Sequence, residues 1–499
     1  MVTLNRPHAP RASARRAAAV LCFSGLVAFG CSADDIEALW DPLGEPRQGH
    51  GGPSEHAPSP ATLRLAKVWQ QATGDGFSGV ALVRHRGREL GRFAAGLSDR
   101  ERGVPNTLDT AFDIGSITKQ FTSAAVMRLY EHGQLDVQDR LGELFEAVPE
   151  DKAEITVHQL LTHTAGFAGA LGYDDEPIER EAYLQRAWER PLSVAPGALH
   201  WYSNVGYSLL GAIVERLTGK AYEEYLAGEL WRQLGIEHTG YIGPVWDPSL
   251  VALAYADGDV DDPLQRPHAP DGYYWNLRAN GGLLSTLADL TRWSDALLGG
   301  EVLGPDALER YLRPHVREGL GSDGAYAYGW RVQDTPVGRL VSHTGGNGFF
   351  FAEVRQYVEA DLLVITLANE ANDAADALSM DLAAAVLPSL PSAGDLPEPE
   401  PLAIDRVETV ENATQSFVES IEFPADRDAA VAGFLIELEA GSASFRLLAP
   451  GGEVFETGSG DAGAPVERVI AVPPTPGRWQ LEVDVQDATG QVFLAWSWN

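Results

Sequence analysis

The feature that most constrains this chain is a change of hydrophobic rhythm across a run of prolines. Pro388, Pro391, Pro397, Pro399 and Pro401 mark a stiff linker over 388–402, and the two sides of it follow different periods. Downstream, Trp479, Leu481, Val483 and Val485 alternate with polar residues. Turn signals such as Pro450-Gly451-Gly452 and Thr475-Pro476-Gly477 separate similar runs. Period two with frequent turns predicts a small all-β domain, a sandwich, over 403–499. Upstream, over 61–387, both periods occur. Gly79 to Val83 reads as a strand, Gly348 to Arg355 with Leu362 to Leu367 as an antiparallel hairpin, and Ala371 to Val386 as a closing helix. Strands at both ends with helices between them predict one mixed α/β (α+β) domain whose sheet joins its two ends. A doubly wound parallel sheet would need βαβ units, and none is visible.

The first residues read as an export signal. Arg6, Arg11, Arg15 and Arg16 precede an apolar run, Ala17 to Gly30, too short to span a bilayer comfortably. It ends in Ala28-Phe29-Gly30-Cys31, which resembles a bacterial lipoprotein signal whose Cys becomes the lipidated first residue. Residues 1–31 are therefore expected to be a signal peptide and 32–60, rich in Pro, Gly, His and Asp, a tether. That places the protein in the periplasm or cell envelope, lipid-anchored through Cys31. Cys22 lies inside the signal, so the body has no cysteine for a disulfide, a thiolate metal site or a nucleophile. The net charge of −34 counts against nucleic acid or an anionic membrane surface as a partner, since both would be repelled.

Three short motifs carry chemistry. In Phe112-Asp113-Ile114-Gly115-Ser116-Ile117-Thr118-Lys119 a helical pattern begins, with apolar residues at Ile117, Phe121, Ala124, Ala125 and Leu129, and it stops at Gly133. Ser116 then sits at a helix N-terminus, where unpaired N–H groups favour developing negative charge. Lys119 lies one turn on, on the same face. A serine hydroxyl needs such a partner to become a nucleophile. Only Lys67, Lys119, Lys152 and Lys220 are lysines among 37 basic residues, and an amine that must lose its proton cannot be replaced by arginine.

The second motif, Trp201-Tyr202-Ser203-Asn204, precedes a helical pattern through Val205, Leu209, Ile213 and Leu217 that ends at Gly219. It offers a phenol and an amide. The third, Ser342-His343-Thr344-Gly345-Gly346, ends an apolar strand, and its glycines allow close approach to the backbone. The Gly346 N–H would face a developing oxyanion together with that of Ser116. Taken singly, each motif has an ordinary reading as a cap, a helix anchor or a turn.

Ser-x-x-Lys, Tyr-x-Asn and His-Thr-Gly in this order resemble the penicillin-recognising serine hydrolases: class C β-lactamases, D,D-peptidases, D-aminopeptidases and related esterases. Leu160 to Phe167, Asn280-Gly281-Gly282-Leu283 with Ser285-Thr286, and Tyr328-Gly329-Trp330 extend the resemblance over about residues 75–370. It implies an antiparallel sheet flanked by helices, with a helical subdomain. It also implies a serine hydrolase acting through an acyl-enzyme on an ester, an amide or a D-amino-acid peptide. Catalysis falls to Ser116, Lys119 and Tyr202. Substrate and oxyanion contacts fall to Asn204, His343, Thr344, Gly345 and Gly346. A coupled amine and phenol titrate as a unit, so the residues alone do not divide base from acid.

The resemblance calls for no cofactor and no metal, and for a small-molecule or peptide substrate. His343 stands where many relatives carry Lys, which weakens any anchor for a substrate carboxylate at neutral pH and shifts weight from β-lactams to esters, amides and D-peptides. His163 is expected to make a structural hydrogen bond at a helix end rather than to act as a base. Trp201, Tyr273, Tyr274 and Trp275 are candidates for an apolar acyl pocket, against ordinary core packing. The rival reading is an envelope-anchored sensor or binding protein that is acylated without turnover.

Overall fold

Period-two runs from the two ends of the body meet in one sheet. The computed structural model describes residues 59–256, 258–318, 324–393, 404–423, 430–461, 466–472 and 477–498. The expected signal with Cys31, all of the tether but its last two residues, and the linker from 394 onward lie outside them.

Eight strands form the sheet of the body: β1 (Gly79–His85), β2 (Arg88–Ala95), β3 (Val316–Arg317), β4 (Gly324–Tyr326), β5 (Arg331–Thr335), β6 (Gly338–Gly346), β7 (Phe351–Tyr357) and β8 (Leu362–Ala368). Their spatial order is β3-β4-β5-β6-β7-β8-β1-β2, and every pairing is antiparallel. The predicted hairpin is β7–β8, and β8 closes onto β1 with Gly79 opposite Ala368 and Val83 opposite Val364. The sheet thus joins the two ends of the body, as the distribution of strands implied. Every residue of β8 is buried, which requires cover on both faces. Helices α4 (Leu287–Leu298) and α5 (Asp373–Val386) pack against it and β1.

The helical middle is built around α2 (Thr118–Glu131), which follows α1 (Pro60–Gly74) in the chain. Residues Thr118 to Met127 of α2 are all buried. A helix covered on every side must satisfy its polar side chains internally. Thr122 does so by donating to the Ala279 carbonyl at 2.6 Å, and Gln120 in part, its Oε1 accepting from Trp293 Nε1 at 3.1 Å while its Nε2 has no partner among the described residues. Helix α3 (Asn204–Thr218) packs on α2. Ser203 caps its N-terminus, accepting from Gly206 N at 3.2 Å. Gly219 ends it in the left-handed conformation.

Beyond the linker all described segments are strands, as expected. Five of them, Ile404–Phe423, Ala430–Leu448, Val454–Asp461, Val466–Val472 and Gly477–Trp498, join into one antiparallel sheet. Three are about 20 residues long with register shifts midway. The described pairings form a single sheet; the sandwich expectation supposed two. Ala443, Phe445, Leu447, Trp479, Leu481, Val483 and Val485 are buried in it, in the alternating pattern of the sequence.

Candidate active site

The site forms where the start of α2, the turn before α3 and the end of β6 converge. Ser116 stands on a short 3₁₀ turn, Gly115–Ile117, that leads directly into α2. The turn is fixed from two sides. Asp113 Oδ1 accepts from Gly115 N at 2.7 Å, and Ile114 N donates to the Leu283 carbonyl at 2.9 Å.

Lys119 is one turn further and fully buried. Its Nζ lies 3.1 Å from Ser116 Oγ, 2.8 Å from Asn204 Oδ1 and 2.6 Å from the Asn280 carbonyl oxygen. It also sits 4.8 Å from the centroid of the Tyr202 ring. Burial in this enclosure holds the amine well below its usual pKa, although Asp174 opposes the shift. Burial pushes the Tyr202 phenol above its ordinary pKa of 10.0, with the neighbouring Ser116 side chain opposing the shift. The hydroxyl, the amine and the phenol of the sequence motifs thus share one cavity.

The third motif meets the nucleophile turn through glycines. A Cβ on Gly345 would fall 1.9 Å from the Ile114 carbonyl oxygen and 3.0 Å from Ser116 N. One on Gly115, whose φ is +49°, would fall 2.5 Å from Gly346 N. Only residues without Cβ let these two backbones touch, and this contact brings the Ser116 and Gly346 amides onto adjoining chain segments. Thr344 and Gly346 are exposed while His343 and Gly345 are buried, the alternation a strand imposes.

His343 does not present a charge. Its Nδ1 donates to the Thr344 carbonyl at 2.6 Å, so the neutral ring accepts at Nε2 from the Tyr326 hydroxyl, 2.9 Å away. Burial, reinforced by Lys119, lowers its pKa to about 4. His163 is structural, as expected. Its Nδ1 accepts from Ser203 N at 3.1 Å, its carbonyl accepts from Trp201 N at 2.7 Å, and its ring lies 4.1 Å from that of Tyr202. It therefore grips the Trp201–Asn204 turn from behind. For two of the aromatic candidates the alternative of core packing holds. Tyr273 and Trp275 are buried in the core, and Tyr273 is spent on the Pro263 carbonyl at 2.7 Å. Large apolar rings gain most from full burial.

The family model for Beta-lactamase matches residues 65–387. The chain belongs to the beta-lactamase family. It is 31% identical over 350 residues to Esterase EstB of Burkholderia gladioli, an alignment covering 56% of this chain and 88% of the esterase. It is 26% identical over 315 residues to Penicillin-binding protein 4* of Bacillus subtilis, covering 60% of this chain and 69% of that protein. Among solved structures, the D-amino acid amidase of Ochrobactrum anthropi superposes with a TM-score of 0.57 at 20% identity, over 66% of this chain and 98% of the amidase. The class C beta lactamase of Rhodobacter sphaeroides superposes with a TM-score of 0.55 at 21% identity, over 65% and 99%. At those identities the structural likeness is one of fold.

Within this beta-lactamase-family serine hydrolase, several side chains around the site carry no motif signal. Asn280 was legible as part of a motif, but its use of a backbone carbonyl to hold the lysine was not. Arg266, Asp261 and Asn347 also pack beside the nucleophile turn and escape a reading by spacing. Among the described residues there is no His, Cys, Asp and Glu cluster able to hold a metal ion. Nor is there a helix among them long and apolar enough to cross a membrane.

Proposed function

We propose that Ser116 is the nucleophile of an ester hydrolase, that Lys119 is its base and Tyr202 its proton donor, and that the substrate needs no free carboxylate. The observation that carries this reading is the set of contacts around Lys119. Asn204 Oδ1 and the Asn280 carbonyl can only accept, and both lie within hydrogen-bond range of Nζ. A neutral amine has two N–H donors and one lone pair. Its two donors are taken by these acceptors, so the lone pair is left for the Ser116 hydroxyl. A lowered lysine pKa favours this neutral state and a raised tyrosine pKa keeps the phenol protonated.

In this mechanism Ser116 Oγ attacks the substrate carbonyl carbon while Lys119 takes its proton. The oxyanion is held by the Ser116 and Gly346 N–H groups, each such donor being worth ~3 kcal/mol. Tyr202 gives its proton to the departing oxygen and is reprotonated from Lys119. Water then attacks the acyl-enzyme, passing its proton back along the same path, and Ser116 leaves as the hydroxyl. His343, neutral and bonded on both nitrogens, supplies no cation for a substrate carboxylate, which favours esters over β-lactams and D-peptides. The likeness to an esterase along 88% of that protein's length supports the same choice. The chain is exported by residues 1–31 and anchored through Cys31, with 61–387 as the catalytic body and 403–499 as an accessory domain.

The test is hydrolysis of a short-chain aryl ester, a D-Ala peptide and a β-lactam, each with Ser116→Ala as control. Turnover of the ester above the other two, abolished in the variant, is the expected result. A burst of one acyl equivalent without steady turnover would instead make the chain an acylated sensor.

A further inference from the structure

A largely enclosed arginine stands beside the catalytic turn with no role in the chemistry just described. Arg266 lies in the loop between the short strands Asp259–Asp261 and His268–Ala269, and its side chain is 13% exposed. The guanidinium is ion-paired with both Asp113 and Asp261. A cation between two carboxylates is held charged, and these partners raise its pKa against the opposing effect of desolvation. Both ends of the arrangement reach the oxyanion site. Asp113 shapes the turn that presents Ser116, by accepting from Gly115 N. Asn347, directly after Gly346, places Nδ2 3.3 Å from Asp113 Oδ2 and 3.4 Å from Asp261 Oδ2. Its own Oδ1 accepts from Phe349 N and Phe350 N at 3.0 and 2.8 Å, which fixes the turn at the end of β6.

We propose that Arg266 is a positioning residue of the oxyanion site, holding the Ser116 and Gly346 amides in mutual register through Asp113 and Asn347. The physical need for it follows from the glycines. Gly115 and Gly345 let the two backbones touch, yet a contact between glycines has no side chains to lock it. An amide misplaced by a fraction of an ångström loses much of its hydrogen bond to a transient oxyanion. The ion-paired fork supplies the missing lock from outside the cavity. Its planar, bidentate geometry is what lysine cannot reproduce, and without the guanidinium the two carboxylates would face each other with no cation between them.

This inference rests on Ser116 as nucleophile and is tested apart from it. Arg266→Lys, Arg266→Met and Asn347→Asp are assayed with the aryl ester, and their affinity for an aryl boronic acid, which adds to the serine as a tetrahedral anion, is measured. Asn347→Asp keeps the acceptor for Phe349 and Phe350, so the turn survives while the donor to Asp113 is lost. The expected result is a fall in kcat of ~10–100-fold with KM moved less than about threefold, and a parallel loss of boronate affinity. Arg266→Lys retains more than Arg266→Met. A purely structural role would lower Tm and leave kcat and boronate affinity of the folded fraction unchanged, and that outcome overturns the proposal. If the Arg266 variants do not fold, Asn347→Asp decides alone: wild-type kcat and boronate affinity overturn it, a parallel fall supports it. Undiminished activity in Ser116→Ala would overturn the functional reading itself.

Discussion

The two flanks of the cavity use their polar groups in opposite ways. On the flank of α2 and α3, an oxygen from Ser116, one from Asn204 and one from Asn280 surround a single amine. Nothing else is hydrogen-bonded to Lys119 Nζ among the described residues, and the amine is aimed at the nucleophile. On the flank of β6, the imidazole of His343 spends both nitrogens on its own fold, one on Thr344 and one on Tyr326. The first flank concentrates reactivity and the second withholds charge. In the reading proposed above, reaction type and substrate preference fall to different elements, so that each is open to change with limited effect on the other.

The largest expected effect breaks the reactive flank. Lys119→Met should lower kcat for the ester by ~10³–10⁴-fold, because the base is removed while the hydroxyl remains; stopped assays with the purified protein measure it. Next comes the contact between the flanks. Gly345→Ala forces a Cβ against the Ile114 carbonyl oxygen, and backbone cannot move aside as a side chain can. It should cost ~10²-fold in kcat by displacing an oxyanion donor and ~1–3 kcal/mol of stability from overpacking, read by urea unfolding.

A smaller effect sharpens the comparison. His343→Lys should raise kcat/KM for carboxylate-bearing substrates relative to neutral esters by ~10-fold, since a charge-assisted hydrogen bond is worth roughly 1.5–3 kcal/mol. An unchanged ratio would sever the link between His343 and preference.

The smallest effect concerns acid. Burial lowers the pKa of His158, His200 and His343 from 6.5 to about 4 in each case. Between those values the unfolded chain binds more protons than the folded one. Stability from these residues is thus complete above about pH 6.5 and lost as pH falls toward about 4. Thermal unfolding should show Tm declining by a few degrees over that window, and His343→Gln should remove part of the decline.

How much of this was legible in the sequence depended on whether neighbours in space were neighbours in the chain. Ser116 and Lys119 lie one helical turn apart, so their meeting followed from helix geometry alone. Tyr202 and Asn204 share a turn, and only the combination of motifs placed that turn beside the lysine. Arg266 reaches Asp113 across 153 positions, through a loop with no periodicity, and no local rule brings it there. The neutrality of His343 was foreseen in direction; its depth depends on burial, which no motif states. Tyr273 and Trp275 stood between an acyl pocket and core packing, and their burial is the second; aromatic residues near a motif look alike in sequence whether they face a cleft or the core. In the C-terminal sheet the alternation of Trp479, Leu481, Val483 and Val485 was legible because a strand imposes its period on adjacent residues.

The closure of β1 against β8 carries a consequence for how the protein comes into being. Ser78 donates to Asn369 across 291 positions, so the pairing of β1 with β8 must wait until nearly the whole body has been synthesised. Such long-range closure is slow compared with helix formation. A chain built this way completes its sheet only once β8 has emerged. The bond from Ile114 N to the Leu283 carbonyl that braces the Ser116 turn likewise waits for residues far downstream, so the site is assembled late even though Ser116 and Lys119 lie one turn apart.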